Sequence, residues 1–202
     1  MNVRQQEMII LFGTNGTGKT TVMLNAAVDY LIQNADYGKR VLCCIPDDSE
    51  RKFDSIEEIM PDTESLHNFY GIKKLICEDL KVFTDLYQAY TTKGAAPYNG
   101  LMVFDDIGTI LNRRPEQVLK FFKRRRQMNV DLFFNFHSLT TDMPRAFIGY
   151  ATRIILFKTN DDHKDTMLKL PAGKRQEFED MFFRVEEISK TNKFYYEELK
   201  LR

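Results

Sequence analysis

The chain has 202 residues, 43% hydrophobic and 29% charged, with 29 basic against 29 acidic side chains. This length fits one α/β domain with a full core and is short for two, and zero net charge excludes a polyanion partner held by bulk charge alone. The apolar runs fall short of the ~20 residues that span a bilayer, and Met8–Phe12 is too short for a signal-peptide core, so a soluble globular protein is expected.

Apolar runs alternate with amphipathic stretches, which predicts a mostly parallel sheet with helices on both faces. Met8–Phe12 reads as the first strand and Lys19–Gln33 as the helix that follows it. Arg40–Ile45 is a second strand, and its Cys43 and Cys44, like Cys77, lack metal-ligand spacing and read as buried thiols. Residues 47–71 are an acidic, irregular insertion with at most a short helix around Ile56–Met60. Ile72–Cys77 is a further strand, and Asp79–Tyr90 fits a helix with Leu80, Phe83, Leu86, Tyr87 and Tyr90 on one face. Leu101–Phe104 is a strand ending in two acids. A helix over Glu116–Met128 begins at Pro115, and strands follow at Val130–His137 and Arg153–Lys158. The more polar remainder carries a helix over Gln176–Ile188 and an edge strand near Phe194–Leu199. One domain, residues 1–202 with a core at about 8–158, is expected.

Directly after the first strand stands Gly13-Thr14-Asn15-Gly16-Thr17-Gly18-Lys19-Thr20, a complete Walker A loop. Its glycines let successive backbone N–H groups turn inward around a phosphate, and the helix opening at Lys19 adds partial positive charge. Lys19 reaches the β/γ-phosphates and the Thr20 hydroxyl can ligate Mg²⁺; Thr21 completes the ATP-binding stretch. Leu101-Met102-Val103-Phe104-Asp105-Asp106 has the shape of a Walker B strand. Asp105 is then the metal ligand, and Asp106 is the general base that polarises the attacking water, which favours hydrolysis over transfer to a small acceptor. The plainer role for the pair is to cap a helix over Ile107–Leu111.

The next strand, Val130–His137, ends in polar residues after an aromatic run. Where an ATPase carries an additional catalytic acid, this strand lies between those of the two Walker motifs. His137 or Ser138 then stands at the tip as a γ-phosphate sensor, with Asn135 one pleat inside. Lys120, Lys123, Arg124, Arg125 and Arg126 form the densest basic cluster, and a solvated helix end accounts for most of it. Three consecutive arginines exceed what a cap needs, and arginine suits a γ-phosphate of a neighbouring subunit.

These motifs together resemble the FtsK–HerA superfamily of DNA-pumping ATPases, and within it the small genome-packaging ATPases of icosahedral phages and related viruses. The resemblance rests on Gly13–Thr20, Leu101–Asp106 and the run from Arg126 to His137, and covers roughly residues 8–158. Two positions depart from the family pattern: the sensor, most often glutamine, would be His137, and the second Walker B acid, often glutamate, is Asp106. The resemblance implies a P-loop NTPase fold of the RecA-like, additional-strand type and an ATP–Mg²⁺-driven motor that translocates DNA into a preformed capsid. It also implies a homo-oligomeric ring, capsid or portal-vertex partners, and a place in the host cytoplasm or at the virion vertex. Arg126, expected near the rim of the catalytic face, would complete the neighbour's ATP site, with Arg124 and Arg125 as substitutes. DNA contacts would be to the backbone, with Lys73, Lys74 and Lys93 as candidates. The rival readings are a nucleotide or small-molecule kinase, a phage-assembly ATPase, and a scaffold that uses nucleotide only to assemble.

Overall fold

The first strand is apolar throughout because both its faces are covered. In the computed structural model, which describes residues 6–33, 40–46, 53, 71–77, 84, 99–108, 111 and 115–202, β1 (Met8–Phe12) is buried at every position. The other strands are β2 (Arg40–Ile45), β3 (Gly71–Ile76), β4 (Gly100–Asp105), β5 (Val130–Phe136), β6 (Arg153–Phe157) and β7 (Tyr196–Lys200). They form one seven-stranded sheet in the order β3-β2-β4-β5-β1-β6-β7. Every pairing is parallel except β6 with β7, which is antiparallel. The strand that follows Walker B therefore lies between β1 and β4, as expected for an α/β P-loop NTPase of the additional-strand type.

The described helices are α1 (Lys19–Gln33), α2 (Pro115–Arg124), α3 (Arg145–Ile148), α4 (His163–Lys169) and α5 (Arg175–Ile188). Side chains alternate across a strand, so each strand contributes to two cores. On the α1 face, Ile9, Leu11, Val41, Cys43, Val103 and Phe133 pack with Met23 and Ala27. On the opposite face, Phe12, Phe104, Phe134 and Phe136 meet Phe122, Phe147 and Phe178. The rings of Phe104 and Phe134 stack with centroids 4.7 Å apart, and Phe122 meets Phe147 edge-on at 4.7 Å. Such pairs add to the stability given by burial and fix the ends of β4 and β5 against each other.

The helix expected over Glu116–Met128 stops at Arg124. Asn129 adopts φ +52°, and Val130 N–H donates to the Arg125 carbonyl at 2.9 Å, so residues 125–129 form a turn that feeds β5. Helices α3 and α4 were not anticipated. The Asp162 carboxylate caps α4 by accepting from the N–H groups of Lys164 and Asp165 at 2.8 and 3.1 Å. These two bonds hold its pKa below the usual aspartate value. The helices expected at Ile56–Met60 and Asp79–Tyr90 lie outside the described residues, Thr84 apart. Among the described residues no helix is long and apolar enough to cross a membrane.

Candidate nucleotide-binding site

Parallel strands put their carboxyl ends on one edge of the sheet, and there β1, β4 and β5 deliver the chemistry. Gly13 leaves β1 at φ +151°, with its N–H donating to the Phe136 carbonyl at 3.3 Å. A Cβ on Gly13 would lie 2.7 Å from both the Lys158 carbonyl oxygen and Phe157 Cβ, so only glycine fits against β6. Thr14 N–H donates to Lys158 O at 2.8 Å, and the Thr17 hydroxyl donates to Thr14 O at 2.8 Å, which closes the loop on itself. Lys19, buried at the start of α1, folds back over the loop. Its Nζ donates to the carbonyls of Gly13 at 2.6 Å and Thr14 at 2.8 Å.

On the other side of the loop, the Thr20 hydroxyl reaches Asp105 Oδ2 at 3.4 Å. Asp105 and Asn135 are register partners on β4 and β5, and the Asn135 amide donates to Asp105 Oδ1. Both are almost fully buried, and Asn135 Oδ1 has no hydrogen-bond partner. Asp106 stands one residue past the strand in a left-handed conformation, φ +56°. Aspartate tolerates this better than most residues, and strain of this kind collects at functional sites. The turn aims its carboxylate at His137, whose Nε2 lies 2.6 Å from Asp106 Oδ2. Cys43, the neighbour on β2, is no competitor for metal. Burial, reinforced by the Asp105 charge, pushes its thiol pKa up to about 12.

Asn15, Gly18, Lys19, Thr20, Thr21, Asp105, Asp106 and His137 thus line one cavity of about 380 Å³, joined by Asn135 and Phe194. Thr20 and Asp105 are hard oxygen donors beside the phosphate loop in this cavity. That donor set suits Mg²⁺ ligated jointly by protein, phosphate and water. Ser138 is not part of the site. Its hydroxyl donates to Asp161 Oδ1 at 2.6 Å and belongs to the loop after β5. Asn135, set one pleat inside, proves to be the partner of Asp105, because the parallel register of β4 and β5 sets the two side by side. Phe194 lies about 175 residues beyond the loop in sequence, and only the return of β7 brings it here.

The basic cluster is elsewhere. Helix α2 runs back against the strands, so its end and the following turn lie at the amino end of β5, away from the catalytic rim where Arg126 was expected. There Asn129 joins Gln6 and Asn99 through side-chain bonds of 2.6 and 2.7 Å. Arg125 is buried, and its guanidinium donates to the carbonyls of Phe122 at 3.3 Å and Tyr150 at 3.2 Å. Burial, with Arg126 and Arg202 adding, lowers its pKa to about 10. Arg125 is therefore a packing residue and no substitute for Arg126, which like Arg124 is exposed. Lys74 is buried on β3, which corrects its candidacy as a DNA contact; Lys73 is half-buried and Lys93 lies outside the described residues.

No protein-family model and no curated protein matches the chain. Solved structures do. The genome packaging NTPase B204 from Sulfolobus turreted icosahedral virus 2, in complex with sulfate, is similar over 100% of this chain and 94% of that one, with TM-score 0.69 and 12% identity. Its complex with AMPPCP gives TM-score 0.68 at 13% identity, over 97% and 93% of the two chains. The cytoplasmic domain of the Thermomonospora curvata Type VII secretion ATPase EccC is similar at TM-score 0.53 and 12% identity, covering 88% of this chain and 24% of that one. The chain has the P-loop ATPase-like fold of these proteins; at such identities the likeness is one of fold.

Proposed function

We propose that the chain is an ATP-hydrolysing motor that translocates DNA, packaging a viral genome into a preformed capsid as a homo-oligomeric ring. The observation that carries the hydrolytic part is the Asp106–His137 pair, 2.6 Å apart and facing the phosphate loop from two adjacent strands. The packaging part is supported by likeness along almost the whole length of both chains to a viral genome-packaging NTPase.

In this reading Lys19 exchanges its two loop carbonyls for the β- and γ-phosphates. Thr20 and Asp105 would hold Mg²⁺, which when bound offsets the charge of the phosphate oxygens. The Asn135 amide fixes the rotamer of Asp105. Asp106 accepts a proton from the water that attacks the γ-phosphorus as the bond to the β-γ bridging oxygen breaks. His137 holds the Asp106 carboxylate in line and lies where it can respond to the γ-phosphate. DNA is gripped through its phosphates without sequence preference, which makes binding salt-sensitive, and zero net charge keeps monomer binding weak.

The test is ATP turnover with no DNA, single-stranded DNA and duplex DNA, on wild type and on variants of the acid pair. Asp106→Asn should bind ATP normally and lose turnover by ~10²–10⁴-fold, as when a positioned base is removed. Asp105→Asn should weaken the Mg²⁺-dependent part of ATP binding. Equal and mild effects would reduce the pair to helix caps, and turnover indifferent to DNA but dependent on a small phosphate acceptor would make the protein a kinase.

A further inference from the structure

Phe194 is a large apolar ring held out at the edge of the phosphate loop. It occupies the turn between α5 and β7, is 56% exposed, and belongs to neither core. Because β7 runs antiparallel to β6, with Tyr196 opposite Phe157, the turn returns the chain to the carboxyl-end edge where Gly13–Thr20 lies. Asn192 fixes its shape: its side-chain oxygen accepts from Phe194 N–H at 3.1 Å and its carbonyl accepts from Tyr195 N–H at 3.0 Å. The ring then comes so near the loop that its Cδ1 would lie 3.3 Å from a Cβ on Gly18. The Lys193 ammonium stands over the ring, 4.8 Å from its centroid.

The sheet order gives this placement a meaning. Asp105 and Asp106 end a strand two places to one side of β1, and Phe194 precedes a strand two places to the other. A triphosphate lying across the loop with its γ-phosphate toward Asp106 extends its nucleoside toward Phe194. There Phe194 lines the cavity and presents an apolar ring. We infer that Phe194 is the platform on which the nucleobase stacks, an assignment that rests on the ATP-binding reading above. Every base has a π-face, so such a platform gives affinity for a nucleoside with little choice among bases.

The experiment compares ATP with inorganic tripolyphosphate, which offers the loop its phosphates and Phe194 nothing. Binding of each, with Mg²⁺, is measured for wild type, Phe194→Ala, Phe194→Trp and Lys19→Ala. Phe194→Ala should raise the Kd for ATP roughly 5- to 100-fold and leave that for tripolyphosphate unchanged, from the usual strength of base–aromatic stacking. Phe194→Trp should restore ATP affinity, and Lys19→Ala should lose both ligands. Equal loss of both ligands in Phe194→Ala, or unchanged ATP binding, overturns the platform. Wild type that binds neither ligand overturns the ATP-binding reading itself and the platform with it.

Discussion

Asn135 joins two demands in one carboxamide. Its amide end holds Asp105, and its oxygen is buried without a hydrogen-bond partner in a residue that borders the candidate site. A buried acceptor left unpaired costs about 1–3 kcal/mol, and a water in a metal's shell would satisfy it. Asn135→Ala frees Asp105 to leave its orientation, and loss of such an outer partner typically weakens a metal site ~10–100-fold. We expect the Mg²⁺ concentration for half-maximal ATP turnover to rise by that order while the rate at saturating Mg²⁺ falls much less. An unchanged Mg²⁺ dependence would make Asn135 a packing residue only. The Walker residues were legible because their chemistry is written in a contiguous stretch. The partnership of Asn135 was legible in principle, since residues two apart on a strand share a face. What hid it was the register between β4 and β5, which sets 135 against 105 and which no single strand carries.

At the scale of elements, the placing of His137, the proposed sensor, depends on how the chain leaves β5. Residues 138–143 are tied to the connection after β6, where the Asp161 carboxylate accepts from Ser138 Oγ at 2.6 Å, Leu139 N–H at 2.8 Å and Thr140 N–H at 3.3 Å. The Lys169 ammonium, at the end of α4, donates to the carbonyls of Leu139, Thr140 and Met143 at 2.6, 2.7 and 3.2 Å. A carboxylate on the N–H groups and an ammonium on the C=O groups satisfy both signs of one loop, which fixes the exit of His137. Asp161→Ala leaves several part-buried donors unpaired at a cost of about 1–3 kcal/mol. For a protein of this size that lowers Tm by roughly 2–10 °C, measurable by calorimetry. Turnover should fall more than ATP affinity, since the loop positions His137 and not the phosphate cradle. The strands and most helices could be read from their period, but α4 could not, because it is only 7 residues long and its main signal is the Asp162 cap.

At the scale of the whole molecule, the placement of Arg126 at the amino end of β5 changes how the proposed ring has to work. The sequence put this arginine near the catalytic rim because it precedes the sensor strand; the direction of α2, which runs back along the sheet, puts it at the far end. Arg126 cannot serve its own nucleotide from there, and any γ-phosphate it meets belongs to another subunit. Arg126→Ala should leave ATP binding intact and lower turnover by ~10³-fold or more. Mixing it with Lys19→Ala protein should recover a minority of the activity, because some junctions in a mixed ring pair an intact loop with an intact arginine. Co-assembly without recovery, or full turnover by a monomer, would end the trans-arginine proposal.

The sheet itself has one further consequence. Its first six strands in spatial order all point the same way, so the molecule is a polar object with the phosphate loop at one end and the Arg124–Arg126 turn at the other. A contact that brings the arginine end of one copy to the phosphate-loop end of the next uses two unlike surfaces, and such a junction has no two-fold axis. Repeated, it either closes into a cycle or winds into an open filament, and it cannot stop at a symmetric pair.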